Sequence, residues 1–171
     1  MDIPGRKKKD GPSKTVLELY LYLLLYWHQS VLCEEFTTCF QLSERTLFRY
    51  VKELNAVCSG GSICRSGREG RKEFVLRDGP YEPLEEPELS FFPEDPHLTR
   101  LSRLICLYHL IDEKAPGFLY PDDDDEQPSV SELTDIINKA GFPEFSLRTL
   151  QRDLKEIRLA LDLFDEYDET H

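Results

Sequence analysis

Three basic side chains recur at helical spacing in two places along this sequence. The first set is Arg45, Arg49 and Lys52, and the second is Arg148, Arg152 and Lys155. On a helix, residues at positions i, i+4 and i+7 share one face. Three cations on one face suit contacts with phosphates and with guanine in a DNA major groove. The alternative is an ordinary solvated helix face, on which Glu53 or Glu156 could pair with the cations.

The segment around each set of cations is repeated. Residues 42–54 align without gaps on residues 145–157, and seven of the 13 positions are identical. Each copy has a helix-capping serine at its second position and a threonine in the first turn, where a hydroxyl can reach a phosphate or a base. Each copy also follows a short predicted helix and a long apolar one. The repeat therefore predicts two tri-helical units, offset by 103 residues.

The elements predicted for the first unit are three helices and a hairpin. The first helix is long, lacks Gly and Pro, and is apolar on several sides, which is typical of a buried helix. Two short runs joined by the glycine-containing segment 66–71 predict a β-hairpin. The expected bounds are about 15–29, 34–40 and 43–56 for the helices, and 62–65 and 72–76 for the strands.

The second unit is expected to contain three helices with a different ending. A helix covers about 97–112, and residues 113–128 form a loop that holds five consecutive acids at 122–126. Ser129 with Glu132 three residues later forms a capping box, and this helix is expected to end at Gly141. Ser146 begins the last helix, which is expected to run to about Leu163. A short strand is predicted over 164–167.

The predicted fold class is mainly α with a small β-hairpin wing, in two tandem domains of the winged helix-turn-helix kind. Five of the 11 prolines and six acids lie in the boundary segment between them. Such proline-rich spacers are extended and stiff. The expected domains are a basic flexible arm at 1–14, a first domain at 15–78, an acidic linker at 79–96 and an acidic second domain at 97–171.

The charge differs between the two halves. The 171 residues carry a net charge of −12, which argues against non-specific nucleic-acid binding by the chain as a whole. Residues 1–80 hold 13 basic and 10 acidic residues, whereas residues 81–171 hold 8 basic and 23 acidic ones. The two halves are therefore expected to meet different partners.

No catalytic, cofactor or metal motif is present in the sequence. The five cysteines and four histidines lack the close pairing of a structural zinc site, so reduced and mostly buried thiols are expected. A Gly-rich phosphate loop and a nucleophile motif are missing. We expect neither an enzyme nor a bound cofactor. The apolar run at 15–27 contains Glu18 and is too short to span a bilayer, so neither a signal peptide nor a membrane segment is expected.

At the repeated segments the sequence resembles DeoR/WYL-type winged helix-turn-helix transcription regulators. The resemblance rests on the Ser-x-Arg-Thr-Leu-x-Arg pattern from Ser43 and Ser146, and the second copy is the closer match. There Gln151 to Leu154 follow the family pattern, whereas Tyr50 replaces the Asp in the first copy. The resemblance covers about residues 15–78 and, less completely, residues 98–168. No WYL-type ligand-sensing domain is expected.

The resemblance implies that the third helix enters the major groove and that the hairpin contacts the backbone or the minor groove. Basic residues on or beside the hairpin loop support this role, although they are also compatible with a merely soluble hairpin. The expected DNA-binding residues are Ser43, Arg45, Thr46, Arg49, Lys52, Arg65, Arg68, Arg71, Lys72, Arg148, Thr149, Gln151, Arg152 and Lys155.

These observations favour a cytoplasmic, bacterial-type transcriptional regulator that binds double-stranded DNA mainly through its first domain. The second domain would serve dimerisation, a protein partner or a second half-site. One alternative is an acidic protein-interaction scaffold on tandem winged helices, similar in character to the acidic partner subunit of bacterial chromosome-condensation complexes. Another is a plasmid or phage replication initiator. The acid loop at 122–126 could also cover a basic surface.

Overall fold

A computed structural model gives the positions of residues 11–57, 62–66, 72–77, 94–120, 129–142 and 146–170. These residues are mainly helical and include a small antiparallel sheet. The acid loop at 122–126 and most of the linker lie outside them, as does the basic arm from Arg6 to Lys9. The division into domains at 79–96 therefore stays a prediction.

The described residues form six α-helices, three strands and one short 3-10 turn. The helices are α1 Lys14–His28, α2 Cys33–Phe40, α3 Glu44–Val57, α4 Pro96–Lys114, α5 Val130–Lys139 and α6 Leu147–Thr170. The strands are β1 Ser30–Leu32, β2 Ser62–Ser66 and β3 Glu73–Arg77, and the 3-10 turn is Pro116–Phe118.

Helix α1 lies at the centre of the molecule because nearly all of it is apolar. Eleven consecutive residues, from Thr15 to Leu25, are buried. A helix that is apolar all round needs neighbours on every side. Here α3, α4 and α6 surround it, together with β1 and β3. Both halves of the chain contribute to the resulting apolar core.

The sheet joins the predicted hairpin to a strand that the sequence did not predict. β3 is central and pairs antiparallel with β2 on one side and with β1 on the other. Along β2, Ser62 faces Arg77 and Ser66 faces Glu73. β1 has three residues, too few to show an alternating pattern, and it is defined by its pairing with β3. The chain order is therefore α1, β1, α2, α3, β2, β3.

Side-chain caps define the helix starts, and of the caps at Ser13, Asp95 and Ser129 the sequence analysis predicted the last. Ser13 accepts a hydrogen bond from the Val16 N–H at the start of α1. Asp95 does the same for α4, and Ser129 for α5, where it accepts from the Glu132 N–H. After α5, Gly141 has φ +87°, a left-handed conformation that suits glycine.

The predicted strand at 164–167 is wrong, because α6 continues through these residues to Thr170. Phe164 and Tyr167 are three residues apart, so a helix places them on one side. Both rings contact His28 at the end of α1, with centroids 5.4 and 5.5 Å from the imidazole. His28 Nε2 also lies 3.5 Å from Asp168 Oδ1. These contacts with α1 favour a long helix over a strand.

Candidate nucleic-acid interface

Helix α3 presents to solvent the three cations that are expected to contact DNA. Arg45, Arg49 and Lys52 are all exposed. The opposite face is buried and consists of Leu47, Tyr50, Val51, Leu54 and Val57. Among the described residues, no ion pair involves any of the three cations. The face can therefore meet an external anion without breaking a described ion pair.

The start of α3 is held by a hydroxyl pair. Ser43 Oγ accepts a hydrogen bond of 3.1 Å from the Thr46 N–H and lies 2.9 Å from Thr46 Oγ1. Both residues thus stabilise the first helical turn. The positive end of the helix dipole lies at the same place, and it favours a phosphate.

The hairpin is attached to α3 by a polar clamp and an aromatic contact. The Asn55 side chain accepts from the Ile63 N–H at 2.8 Å and donates to the Ile63 carbonyl at 2.9 Å. Phe48 packs edge-on against Phe74, with ring centroids 5.5 Å apart. The Arg65 guanidinium lies 5.8 Å from the Phe48 ring centroid, in cation–π range. Exposed Arg65 therefore borders the helix that carries the cation face.

Two of the other predicted hairpin cations, Arg68 and Arg71, lie outside the described residues. Lys72 is described, and its ammonium is 3.0 Å from Glu44 in the first turn of α3. Both side chains are close to half exposed, so the pair is weak in water. Lys72 is thus adjacent to the interface but partly neutralised by Glu44.

The second repeat has the same local construction. Ser146 Oγ accepts from the Thr149 N–H at 3.1 Å and lies 3.0 Å from Thr149 Oγ1. Its exposed polar residues are Arg148, Gln151, Arg152 and Lys155. This copy therefore presents a cation face at the same positions as α3.

A partly buried ion pair also recurs in the two repeats. Glu53 on α3 lies 2.9 Å from the Lys14 ammonium at the start of α1. Glu156 on α6 pairs in the same way with Arg100 in the first turns of α4. Each glutamate therefore joins its helix to the first helix of its own unit. The sequence also allowed Glu53 and Glu156 to neutralise the cation faces. In the structure they pair with Lys14 and Arg100 instead.

The repeats differ where Asp153 replaces Tyr50. The Asp153 side chain is completely buried and accepts two hydrogen bonds from Arg103, from Nε at 2.8 Å and from Nη2 at 3.1 Å. Tyr50 is also buried, at 5% exposure. Asp153 thus has a structural partner within the fold and is not exposed to solvent.

A buried acidic cluster lies behind the cation face. His97 Nε2 on α4 is 2.6 Å from Glu18 Oε1 on α1 and 3.3 Å from Glu53 Oε2 on α3. Burial, followed by the neighbouring Glu53 carboxylate, raises the pKa of Glu18 from 4.5 to about 9. Burial and the Lys14 ammonium lower the pKa of His97. For Glu53, burial opposes ionisation, but the interactions with Glu18 and Lys14 outweigh it and lower the pKa.

Sequence reasoning missed this cluster, since the three residues are far apart in the chain. The available signal was Glu18, an acid inside an apolar run. A buried carboxyl needs a polar partner. The identity of that partner, His97, could not be predicted from the sequence, because it depends on the packing of α4 against α1.

The thiols are partly as expected. Cys33 is buried and Cys106 is half-buried, whereas Cys39 is exposed. Burial raises the pKa of the Cys33 thiol, and that of Cys106 to about 11. A raised pKa keeps both in the unreactive thiol form. The side chains of Cys58 and Cys64 lie outside the described residues.

Comparison with protein-family models, with curated proteins and with solved structures finds no match for this chain. None of the helices in the described part has both the length and the apolar character that crossing a bilayer requires.

Proposed function

We propose that this protein is a DNA-binding transcriptional regulator of the winged helix-turn-helix kind. In this proposal α3 enters the major groove, and the β2–β3 hairpin contacts the backbone or the minor groove. The observation that carries the proposal is the exposed cation face of Arg45, Arg49 and Lys52, which makes no ion pair with a described residue and lies beside exposed Arg65. The chain order α1, β1, α2, α3, β2, β3 is compatible with this architecture.

The second unit is proposed to act as a second half-site, a dimerisation surface or a partner site. Its cation face supports contact with DNA, while the acidic end of α6 argues for protein contact. We therefore assign specific DNA contacts first to Arg45, Thr46, Arg49 and Lys52, and only secondarily to α6.

A protein-interaction scaffold is the second candidate, and one observation favours it. An apolar groove of about 370 Å³ lies between α1, α2 and α6 and is lined by Tyr20, Phe36, Phe40 and Tyr167, among others. Exposed Trp27 adds a large apolar side chain at the end of α1. Together with the net charge of −12, these features suit a protein partner better than DNA.

The test is binding to generic duplex DNA, measured by fluorescence anisotropy across a salt series. Each phosphate contact should steepen the plot of log affinity against log salt by ~0.9, so Arg45→Ala/Arg49→Ala should flatten it by up to about 1.8 and weaken binding. The matched control is Lys114→Ala/Lys139→Ala, which removes two exposed cations from other helices. A third double variant, Arg148→Ala/Arg152→Ala, measures the contribution of α6.

Clear salt-dependent binding that the α3 variant weakens more than the Lys114→Ala/Lys139→Ala control would support the proposal and justify a search for an operator. Equal loss in the control would show that net charge, not the α3 face, determines binding. Absence of binding even at low salt would overturn the proposal and favour the scaffold.

A further inference from the structure

Three helices bring potential metal ligands together at one partly buried point. Glu18 comes from α1, Glu53 from α3 and His97 from α4, and one ligand atom of each lies within 4.8 Å of the others. These helices belong to both halves of the chain. The cluster therefore lies where the two halves meet.

One oxygen of each glutamate in this cluster is paired, Glu18 Oε1 with His97 and Glu53 Oε1 with Lys14, but the other oxygen is not. Glu18 is completely buried, and neither its Oε2 atom nor Oε2 of Glu53 has a hydrogen-bond partner in the described part of the chain. A buried polar atom without a partner costs about 1–3 kcal/mol, and more when it is charged. Two carboxylates and an imidazole directed at one point have the composition that a divalent cation stabilises.

We propose that Glu18, Glu53 and His97 bind a divalent transition-metal ion, with zinc as the probe. Imidazole nitrogen and carboxylate oxygen are both zinc ligands, at about 2.0–2.2 Å. Three protein ligands leave a fourth position for water. Small side-chain movements are needed, because Glu18 Oε1 and His97 Nε2 are 2.6 Å apart, closer than two ligands of one tetrahedral ion.

Lys14 is the competitor for this site. Its ammonium lies 2.9 Å from Glu53 Oε1 and 4.0 Å from Glu18 Oε1. The Lys14 side chain is 39% exposed, so it can turn towards solvent when an ion occupies the carboxylates. Removal of this ammonium should therefore strengthen metal binding, an effect that an adventitious surface site would not show.

The experiment is a calorimetric titration of the chelator-treated full chain with Zn²⁺, together with thermal unfolding in the presence and absence of the ion. We expect one equivalent to bind and to raise the unfolding midpoint. Glu18→Gln should weaken binding by more than the ~10–100-fold that loss of an outer-shell partner causes. This variant should still fold, because an amide has the shape of a protonated carboxyl group. Lys14→Met should bind more tightly than the wild type.

The matched control is His28→Gln, which removes a histidine from the surface near Asp168. It should bind zinc as the wild type does. Unchanged affinity in Glu18→Gln would place the ion elsewhere, for example at exposed Cys39, and would overturn the proposal. Absence of zinc binding by the wild type would mean that a shared proton alone holds the carboxylates together, and would overturn it as well. Because binding is measured directly, neither result depends on whether the chain binds DNA.

Discussion

The half-buried imidazole of His109 should make the protein lose stability in mild acid. The Tyr22 hydroxyl hydrogen-bonds to His109 Nε2, and three tyrosine rings surround the imidazole. Their centroids lie 4.7 Å away for Tyr26, 5.0 Å for Tyr108 and 5.6 Å for Tyr22. Burial in this cage lowers the pKa of His109 from 6.5 to about 4.

The sign and size of the effect follow from this lowered pKa. Between pH 6.5 and 4 the unfolded chain binds a proton that the folded chain does not, so the stability present above pH 6.5 is lost as the pH falls towards 4. A gap of about 2.5 pH units corresponds to ~3.4 kcal/mol in total at ~1.36 kcal/mol per unit. About 2 kcal/mol of this should be lost by pH 5.

The assay is urea unfolding followed by circular dichroism at pH 7 and pH 5. Between these pH values, wild-type protein should lose about 2 kcal/mol more of its unfolding free energy than His109→Gln, since only the wild type must keep a neutral imidazole. Taking the difference between the two proteins cancels the contributions of other titrating groups, such as nearby Asp112. Tyr22→Phe should keep most of the pH dependence, because burial and not the hydrogen bond is its cause. Equal pH dependence in wild type and His109→Gln would refute the reasoning.

Two further changes test the contacts that hold the cation-bearing helices. Arg103→Met should lower the free energy of unfolding by about 3–5 kcal/mol because it leaves the buried Asp153 carboxylate uncompensated, and adding Asp153→Leu should restore most of it. A loss below about 1 kcal/mol in the single variant, measured by urea unfolding, would contradict this. Asn55→Ala should cost about 1–2 kcal/mol and speed amide hydrogen exchange in β2, because the clamp on Ile63 is lost. Amide exchange in β2 of Asn55→Ala at the wild-type rate would show that the hairpin does not depend on the Asn55 clamp.

The sequence predicts the local elements well where periodicity and caps coincide. The capping serines at 43 and 146 lie directly before α3 and α6. Glu18, the acid in the apolar run of α1, is visible in the sequence, but its contact with His97 is not. The long-range packing could not be predicted. Phe164 and Tyr167 are residue types that favour strands. They contact His28, which lies 136 and 139 residues before them in the chain. Tertiary contacts of this kind override local propensity.

The seven identical positions of the two repeats fall into two groups, four with a described structural role in the fold and three without one. Ser43 and Thr46 cap a helix, Leu47 is buried, and Glu53 forms the ion pair with the first helix, and all four have equivalents in the second copy. The remaining three identical pairs are Arg45 with Arg148, Arg49 with Arg152, and Lys52 with Lys155. All six side chains are exposed and make no ion pair with a described residue. The described packing does not require the same cations at the same three positions twice, whereas the proposed contact with DNA would.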